Sequence, residues 1–514
     1  MATVSTANKR IVVNTIYLYI RSVVVMGIGL FTSRVVLQTL GIEDYGIYNV
    51  VGGFVAMFAV ISSSLVNASQ RFISYEMGKE QPQMNRVFCG TVSVHILISL
   101  ISLFFFESIG MWFLNTQLNI TSERLFAANW VFQCSALAFC INLISIPYNA
   151  CIIAHEKMSI FAYISIYEAF AKLGIVYILW LTRSDRLILY AILMLVVSLS
   201  LRFIYGIYCA RRFEECKFHL LIDKQLFKEM LSFTGWNFIG SAAGILSNQG
   251  INILVNIFFG VTLNAARGIA EQANHAISVF VTNFMTALNP QITKSHASGD
   301  FKYMNTLMYR GSKYAALLYW CIGSVLFIES DYILSVWLVE VPDYAVLFLK
   351  LTIVYSMFLA LSNTLYIGML ATGKIKNYQI VMGCLLLFGV ACCYMAFFWG
   401  LGPEWSYISM IVVAVVSLYV RLILLERMIM GFNATIYIKE VLYKVLIVII
   451  VSMIIQFVIT RYHFSSEGLK FLIVLLTNIV IIPTFSYLLA LDNEERSFIR
   501  NKLKFYFFQK KNKV

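Results

Sequence analysis

Charge is what this chain has least of. Asp, Glu, Lys and Arg make up 13% of its 514 residues, against 60% hydrophobic residues, and the mean hydropathy is +0.79. Ordinary soluble domains carry roughly a quarter charged residues, so this composition excludes a soluble globule and indicates a membrane protein. Proline is also scarce, with 6 in the chain. Apolar runs of about 20 residues therefore continue unbroken, which suits spanning helices rather than the shorter alternating strands of a barrel. The expected fold class is an all-α integral membrane protein.

Marks of catalysis and of metal chemistry are missing as well. The 10 Cys include no CxxC pair and no metal-like Cys/His spacing. Most of them, such as Cys134, Cys140, Cys321, Cys384, Cys392 and Cys393, fall in apolar runs, where a thiol reads as a small buried hydrophobe. The stretch HEKM at His155 lacks the second His of a zinc helix, no Gly-rich phosphate loop is present, and no connection is long enough for a catalytic domain. No enzyme and no cofactor are expected. A net charge of +13 could suggest nucleic acid, but the basic residues are spread over short connections and the C-terminal end rather than gathered in a basic domain. No nucleic-acid partner is expected. The polar start MATVSTANKR precedes an apolar run without a small-residue cleavage site, so that run is expected to stay as the first span.

What the chain does have is helices. Apolar runs set against charged breaks give about fourteen. They lie near 11–39, 46–66, 87–106, 124–146, 160–181, 187–209, 233–259, 267–289, 311–330, 345–369, 377–399, 405–425, 441–460 and 469–491. With the N-terminus cytoplasmic, one set of alternate connections collects Lys9, Arg10, Arg71, Lys157, Arg211, Arg212, Lys294, Lys313, Lys374 and Arg427 among others. The opposite set holds roughly a quarter as many, which supports both the orientation and an even helix count. Both termini are then cytoplasmic.

A weak internal repeat divides the chain. LGIEDYGIYNVVGGFVAMFAVISSSLVNASQRFIS (Leu40 to Ser74) aligns without gaps with FGVTLNAARGIAEQANHAISVFVTNFMTALNPQIT (Phe259 to Thr293), pairing Gly41 with Gly260 and Ala68 with Ala287. Both stretches run from the first to the second helix of a half, as in parallel six-helix repeats. The expected domains are an N-terminal lobe of six helices at 1–210, a cytoplasmic linker at 211–232 and a C-terminal lobe of six helices at 233–430. Two added helices at 431–491 and a basic tail at 492–514 follow. The tail mixes aromatic and basic residues, which suits either anionic lipid headgroups or a solvated end.

Ionisable groups inside spans cost about 2.5 to 3.5 kcal/mol near the centre and so mark site hypotheses. Arg21 and Arg34 interrupt the first helix, and Glu168 and Lys172 are spaced to pair in the fifth. Lys350 and Arg421 lie close enough to helix ends to snorkel. In the eighth helix Arg267, Glu271 and His275 share a face over about 12 Å. The seventh brings Asn248 and Asn252 among small residues, which fits either interhelical packing or the polar wall of a translocation cavity.

NKRIVVNTIYLYIRSVVVMGIGLFTSRVVLQTLGIEDYGIYNVVGGFVAMFAVISSSLVNASQRFISYEMGK and FFGVTLNAARGIAEQ...ALNPQITKSHASGD resemble bacterial polysaccharide-biosynthesis flippases of the Wzx type. These belong to the multidrug, oligosaccharidyl-lipid and polysaccharide exporter superfamily. The resemblance implies two six-helix lobes around a central cavity, plus two C-terminal helices, in the inner membrane. It implies an undecaprenyl-diphosphate-linked glycan as substrate, flipped by alternating access, with membrane lipids and polysaccharide polymerase machinery as partners. Cavity arginines of the first and eighth helices fall on Arg21 and Arg267, with Arg34 a further candidate. A coupling cation belongs to some relatives, and no residue here identifies its site. The rival functions are a cation-coupled multidrug antiporter, whose first helix carries an acid where this one has arginines, and a membrane glycan polymerase or ligase.

Overall fold

A computed structural model describes residues 2–56, 58–116, 121–182, 185–221, 223–338, 341–462, 466–497 and 500. Among them no strand occurs. In hydrocarbon every backbone N–H and C=O must be satisfied within its own segment, and apolar runs with few prolines can do this only as helices.

The order is α1 (Ala2–Ala56), α2 (Ala59–Met77), α3 (Met84–Phe105), α4 (Met111–Thr116), α5 (Leu125–Ala154), α6 (Met158–Leu181), α7 (Arg186–Arg212) and α8 (Lys224–Phe259). Then follow α9 (Val261–Ala297), α10 (Phe301–Ile328), α11 (Ser330–Trp337), α12 (Ala345–Thr372), α13 (Lys376–Phe398), α14 (Trp405–Met428), α15 (Ala434–Tyr437), α16 (Lys444–Thr460) and α17 (Glu467–Phe485). Eleven continuous helical segments among the described residues are long and apolar enough to cross a membrane, and Val13–Gly29 is a shorter apolar one. The others among the long rods, α2 and α9, fall below that measure because polar side chains interrupt them. Together the rods follow the series of about fourteen expected from apolar periodicity.

Several helices run further than the sequence expectation: α2 ends at Met77 rather than near 66, α5 at Ala154 rather than near 146, and α10 starts at Phe301 rather than near 311. The third span runs on from Phe106 through a wide π turn to Thr116, because Phe106 is buried against Phe132 and Phe139. Residues 107–116 are thus helix rather than loop. α8 starts at Lys224 because the Asp223 carboxylate accepts the backbone N–H groups of Gln225 and Leu226, as an N-cap does. That capping bond from Leu226, with the Arg86 guanidinium beside it, holds Asp223 below the usual carboxylate range. α9 starts at Val261, so the whole stretch LNAARGIAEQANHAISVF is helical.

α1 is two rods joined at Gly41, whose φ of 81° and ψ of 170° are not helical. Gly260, its partner in the internal repeat, stands between α8 and α9 with φ 83°. Both halves therefore turn on a glycine at the same repeat position. A Cβ would meet nothing within 4 Å at either place, so the cost of a side chain there is backbone strain alone. Gly41→Ala and Gly260→Ala are each expected to destabilise by about 1–2 kcal/mol, read as a lower thermal midpoint in detergent. Gly27→Ala, equally uncrowded but inside the helix, is expected to raise it.

The chain forms two compact units. One comprises Met1–Ile245, Thr286–Asp300 and Met369–Cys384, the other Leu246–Met285, Phe301–Gly368 and Leu385–Val514. In the first, α5 packs against α7, α2 and α3, and α1 against α6. Its apolar core gathers Val51, Val55, Phe106, Val131, Phe132 and Leu187. Fully buried His95 joins three of these helices: Nε2 meets Ser69 Oγ at 2.8 Å and Nδ1 meets the Leu143 carbonyl at 2.7 Å. In the second unit α16 and α17 pack on α10, where Trp320 Nε1 donates to Ser452 Oγ at 2.9 Å.

Candidate functional site

Apolar packing places charge inside both units, beginning with α9 in the second. The four-residue spacing of Arg267 and Glu271 puts them one turn apart, and Arg267 Nε donates to Glu271 Oε1 at 3.1 Å. Arg267 is 0% exposed, whereas the Glu271 side chain is 36% exposed. On α14, Met410 Sδ lies 3.6 Å from Arg267 Nη2, and the guanidinium sits 5.1 Å from the centre of the Tyr407 ring. A desolvated cation over such a ring gains about 2 kcal/mol, which offsets part of its burial. Arg267 Nη1 is buried and has no hydrogen-bond partner.

The polar face of α9 is therefore graded. Arg267 is inside, Glu271 stands at the edge, and His275 a turn further is exposed. Between the last two, Asn274 donates to Ser356 Oγ at 2.9 Å and accepts from the Tyr319 hydroxyl. Met410 also lines a cavity of about 50 Å³ with Ser247, Tyr355, Ser417 and Arg421. Tyr355 lies within electrostatic reach of Arg267, Arg421 and Glu271. Arg421, read in the sequence as a snorkelling end residue, instead borders this cavity with its guanidinium 6.0 Å from the Tyr366 ring.

Asn248 and Asn252 are brought together on α8. Asn252 Nδ2 donates to Asn248 Oδ1 at 3.4 Å and to Gln249 Oε1 at 3.3 Å, so these amides satisfy one another along their own helix. Packing against α13 is made by their small neighbours: Ser247 Oγ donates to the Leu386 carbonyl at 3.1 Å, and a Cβ on Gly250 would lie 3.2 Å from Val390. The small-residue stripe thus serves close helix approach.

In the first unit Arg21 of α1 is half-buried, with its guanidinium 4.8 Å from the centre of the Phe161 ring on α6. It lies in the field of Tyr205 on α7 and Glu168 on α6, and its Nε is buried without a hydrogen-bond partner. Lys172 Nζ donates to Glu168 Oε1 at 2.6 Å, the pair that the spacing predicted. Both line a cavity of about 350 Å³ together with Tyr48, Phe139, Asn142 and Ser198. Arg34 lies on α1, and its side chain is outside the described residues.

Aromatic and thioether partners of the arginines, Phe161, Tyr407 and Met410, were not singled out by sequence. Inside an apolar helix nothing distinguishes them from packing residues. Only the arginines carried a signal.

Long apolar rods in two units, with arginines set among them, define a polytopic membrane protein. Solved structures share the fold. A MATE in complex with MaD3S aligns with a TM-score of 0.71 at 12% identity, over 82% of this chain and 97% of that one. A variant of the Vibrio cholerae MATE transporter VcmN aligns with a TM-score of 0.69 at 15% identity, over 83% and 98%. An outward-facing multidrug resistance MATE transporter of the MOP superfamily aligns with a TM-score of 0.70 at 11% identity, over 80% and 94%. No curated protein matches the chain by sequence. Residues 11–296 match the family of polysaccharide biosynthesis proteins, and the chain belongs to that family. Family and fold together make it a multi-pass membrane protein of the flippase and transporter class.

Proposed function

We propose that the protein is a flippase for an undecaprenyl-diphosphate-linked oligosaccharide, the repeat unit of an O-antigen, capsule or exopolysaccharide. It carries this lipid from the cytoplasmic to the periplasmic leaflet of the bacterial inner membrane by alternating access, with both of its termini cytoplasmic. The observation that supports this most is a covered, unpartnered guanidinium N–H in a long helix of each unit: Nε of half-buried Arg21 and Nη1 of fully buried Arg267. A diphosphate crossing about 30 Å of hydrocarbon needs fixed donors of this kind.

Arg267 already holds one anion, Glu271. Loading exchanges that carboxylate for a phosphate oxygen, so the buried cation is never left without a counter-charge. Because Arg267 is fully covered, the exchange requires α9 to shift against Tyr407 and Met410. Aromatic and amide groups such as Tyr48, Phe139 and Asn142 of the first unit's cavity suit sugar rings.

Likeness of fold to multidrug MATE transporters favours a cation-coupled antiporter as the second reading. The long first rod argues against it, since Val13–Gly29 carries Arg21 and no carboxylate.

Removing a charge-assisted hydrogen bond costs about 1.5–3 kcal/mol, or about 10- to 150-fold in binding. Arg21→Ala is therefore expected to lower surface glycan export by that factor at unchanged protein level in the membrane. Export equal to wild type would remove Arg21 from the site.

A further inference from the structure

Groups far apart in sequence converge where α5 ends and the α7–α8 connection begins, in the first unit. Cys151 and His155 stand one turn apart at the end of α5, and Glu215 and Cys216 lie in the 3-10 turn Glu214–Cys216. Cys151 Sγ is 3.5 Å from Cys216 Sγ and 3.9 Å from Glu215 Oε1. His155 Nε2 is 2.6 Å from the same Glu215 oxygen. The ligand atoms of Cys151, His155 and Glu215 all lie within 4.8 Å of one another.

The surroundings hold these groups in place. His155 stacks on the Phe213 ring at 4.0 Å and 11° between planes, which fixes the imidazole. Asn85 Nδ2 donates to the carbonyls of Glu215 and Lys217 at 2.9 and 3.1 Å, which fixes the turn. Both thiols are buried, while the His155 side chain is 28% exposed and leaves a way in for an ion.

We propose that Cys151, His155, Glu215 and Cys216 form a binding site for a zinc-class divalent cation, which ties the α7–α8 connection to the end of α5. Two thiolates, an imidazole and a carboxylate are a tetrahedral ligand set for a borderline-soft metal. Bond lengths of about 2.0–2.3 Å imply ligand-to-ligand edges of about 3.3–3.8 Å. The Cys151–Cys216 edge, at 3.5 Å, already fits, and the Cys151–Glu215 distance of 3.9 Å is just longer than an edge. Cys216 Sγ, which adjoins the group of three rather than belonging to it, closes on the ion as the fourth ligand. The His155–Glu215 hydrogen bond is shorter than an edge, and the ion replaces it by entering between the two groups as the thiols release their protons to water. The α7–α8 connection leads from the sixth to the seventh span, so the ion braces the link between the two halves of the chain.

The test uses the full-length protein in detergent under reducing conditions, stripped with chelator and then titrated with Zn²⁺ alone or Co²⁺ alone. One Zn²⁺ per chain is expected by competition with a chromogenic chelator. Co²⁺ should give thiolate-to-metal charge-transfer absorption and the visible bands of tetrahedral cobalt, a readout on the unaltered protein that needs no variant. Cys216→Ser and His155→Ala should each weaken Zn²⁺ binding by at least about 100-fold, and Cys321→Ser on α10 should not. Absence of the cobalt charge-transfer band, Zn²⁺ binding unchanged in Cys216→Ser, or recovery of a Cys151–Cys216 disulfide from the reduced preparation would each overturn the site.

Discussion

Arg267→Met is expected to lower translocation of a diphosphate-linked glycan by about 10- to 150-fold while leaving the protein folded. Met roughly matches the length of the buried stem, so the space beside Tyr407 and Met410 stays filled. Its loss leaves Glu271, whose side chain is 36% exposed and can be solvated. The reverse change is harsher. Glu271→Gln leaves a fully covered guanidinium with no anion, which costs about 3–5 kcal/mol. If phosphate takes the place of Glu271, a soluble polyprenyl diphosphate should restore much of that loss, because a ligand bound only to the folded state stabilises it. The diphosphate should raise the thermal midpoint most in Glu271→Gln, less in wild type and not in Arg267→Met. An equal rise in all three proteins would show that the diphosphate binds elsewhere.

A second large effect lies in the second unit. Lys313 Nζ donates to Glu495 Oε2 at 2.7 Å and to the Ala490 carbonyl at 3.1 Å, and both side chains are almost fully buried. Glu495 also accepts from the Tyr314 hydroxyl at 2.6 Å, and Arg310 Nε lies 3.3 Å from it. This cluster fixes the residues after α17 to α10. Glu495→Ala strands the Lys313 ammonium and is expected to cost about 3–5 kcal/mol, measured by chemical unfolding in detergent. The double change Lys313→Met with Glu495→Leu removes both charges and should recover most of the loss. A double variant no more stable than Glu495→Ala would mean that shape rather than charge holds this corner.

Those two cases show what sequence carries. The Arg267–Glu271 pair was legible because a four-residue interval on an apolar helix fixes a shared face. Gly41 and Gly260 were legible as a repeat, and their matching φ values give the physical reason for glycine at both. Partners brought in by tertiary packing were not legible. Lys313 counts in sequence as one more basic residue near a helix end, and its pairing with Glu495 depends on how the chain returns after α17. Arg421 differs in the same way: its distance from a helix end suggested snorkelling, and the folding of α8, α12 and α13 around it made a cavity. The cysteines were taken as buried hydrophobes because Cys151 and Cys216 are 65 residues apart, far beyond any local metal spacing. The basic tail at 492–514 lies for the most part outside the described residues.

The central claim is that the carried species is a lipid-linked glycan held through its diphosphate. Its most direct test is reconstitution in vesicles with fluorescent undecaprenyl-diphosphate oligosaccharide in both leaflets, read by quenching from outside. Wild-type protein should bring nearly all the label within reach of the quencher, with Arg21→Ala and Arg267→Met markedly slower. Label that stays confined to its leaflet, in vesicles where the same protein exchanges a cationic drug for an ion, would contradict it.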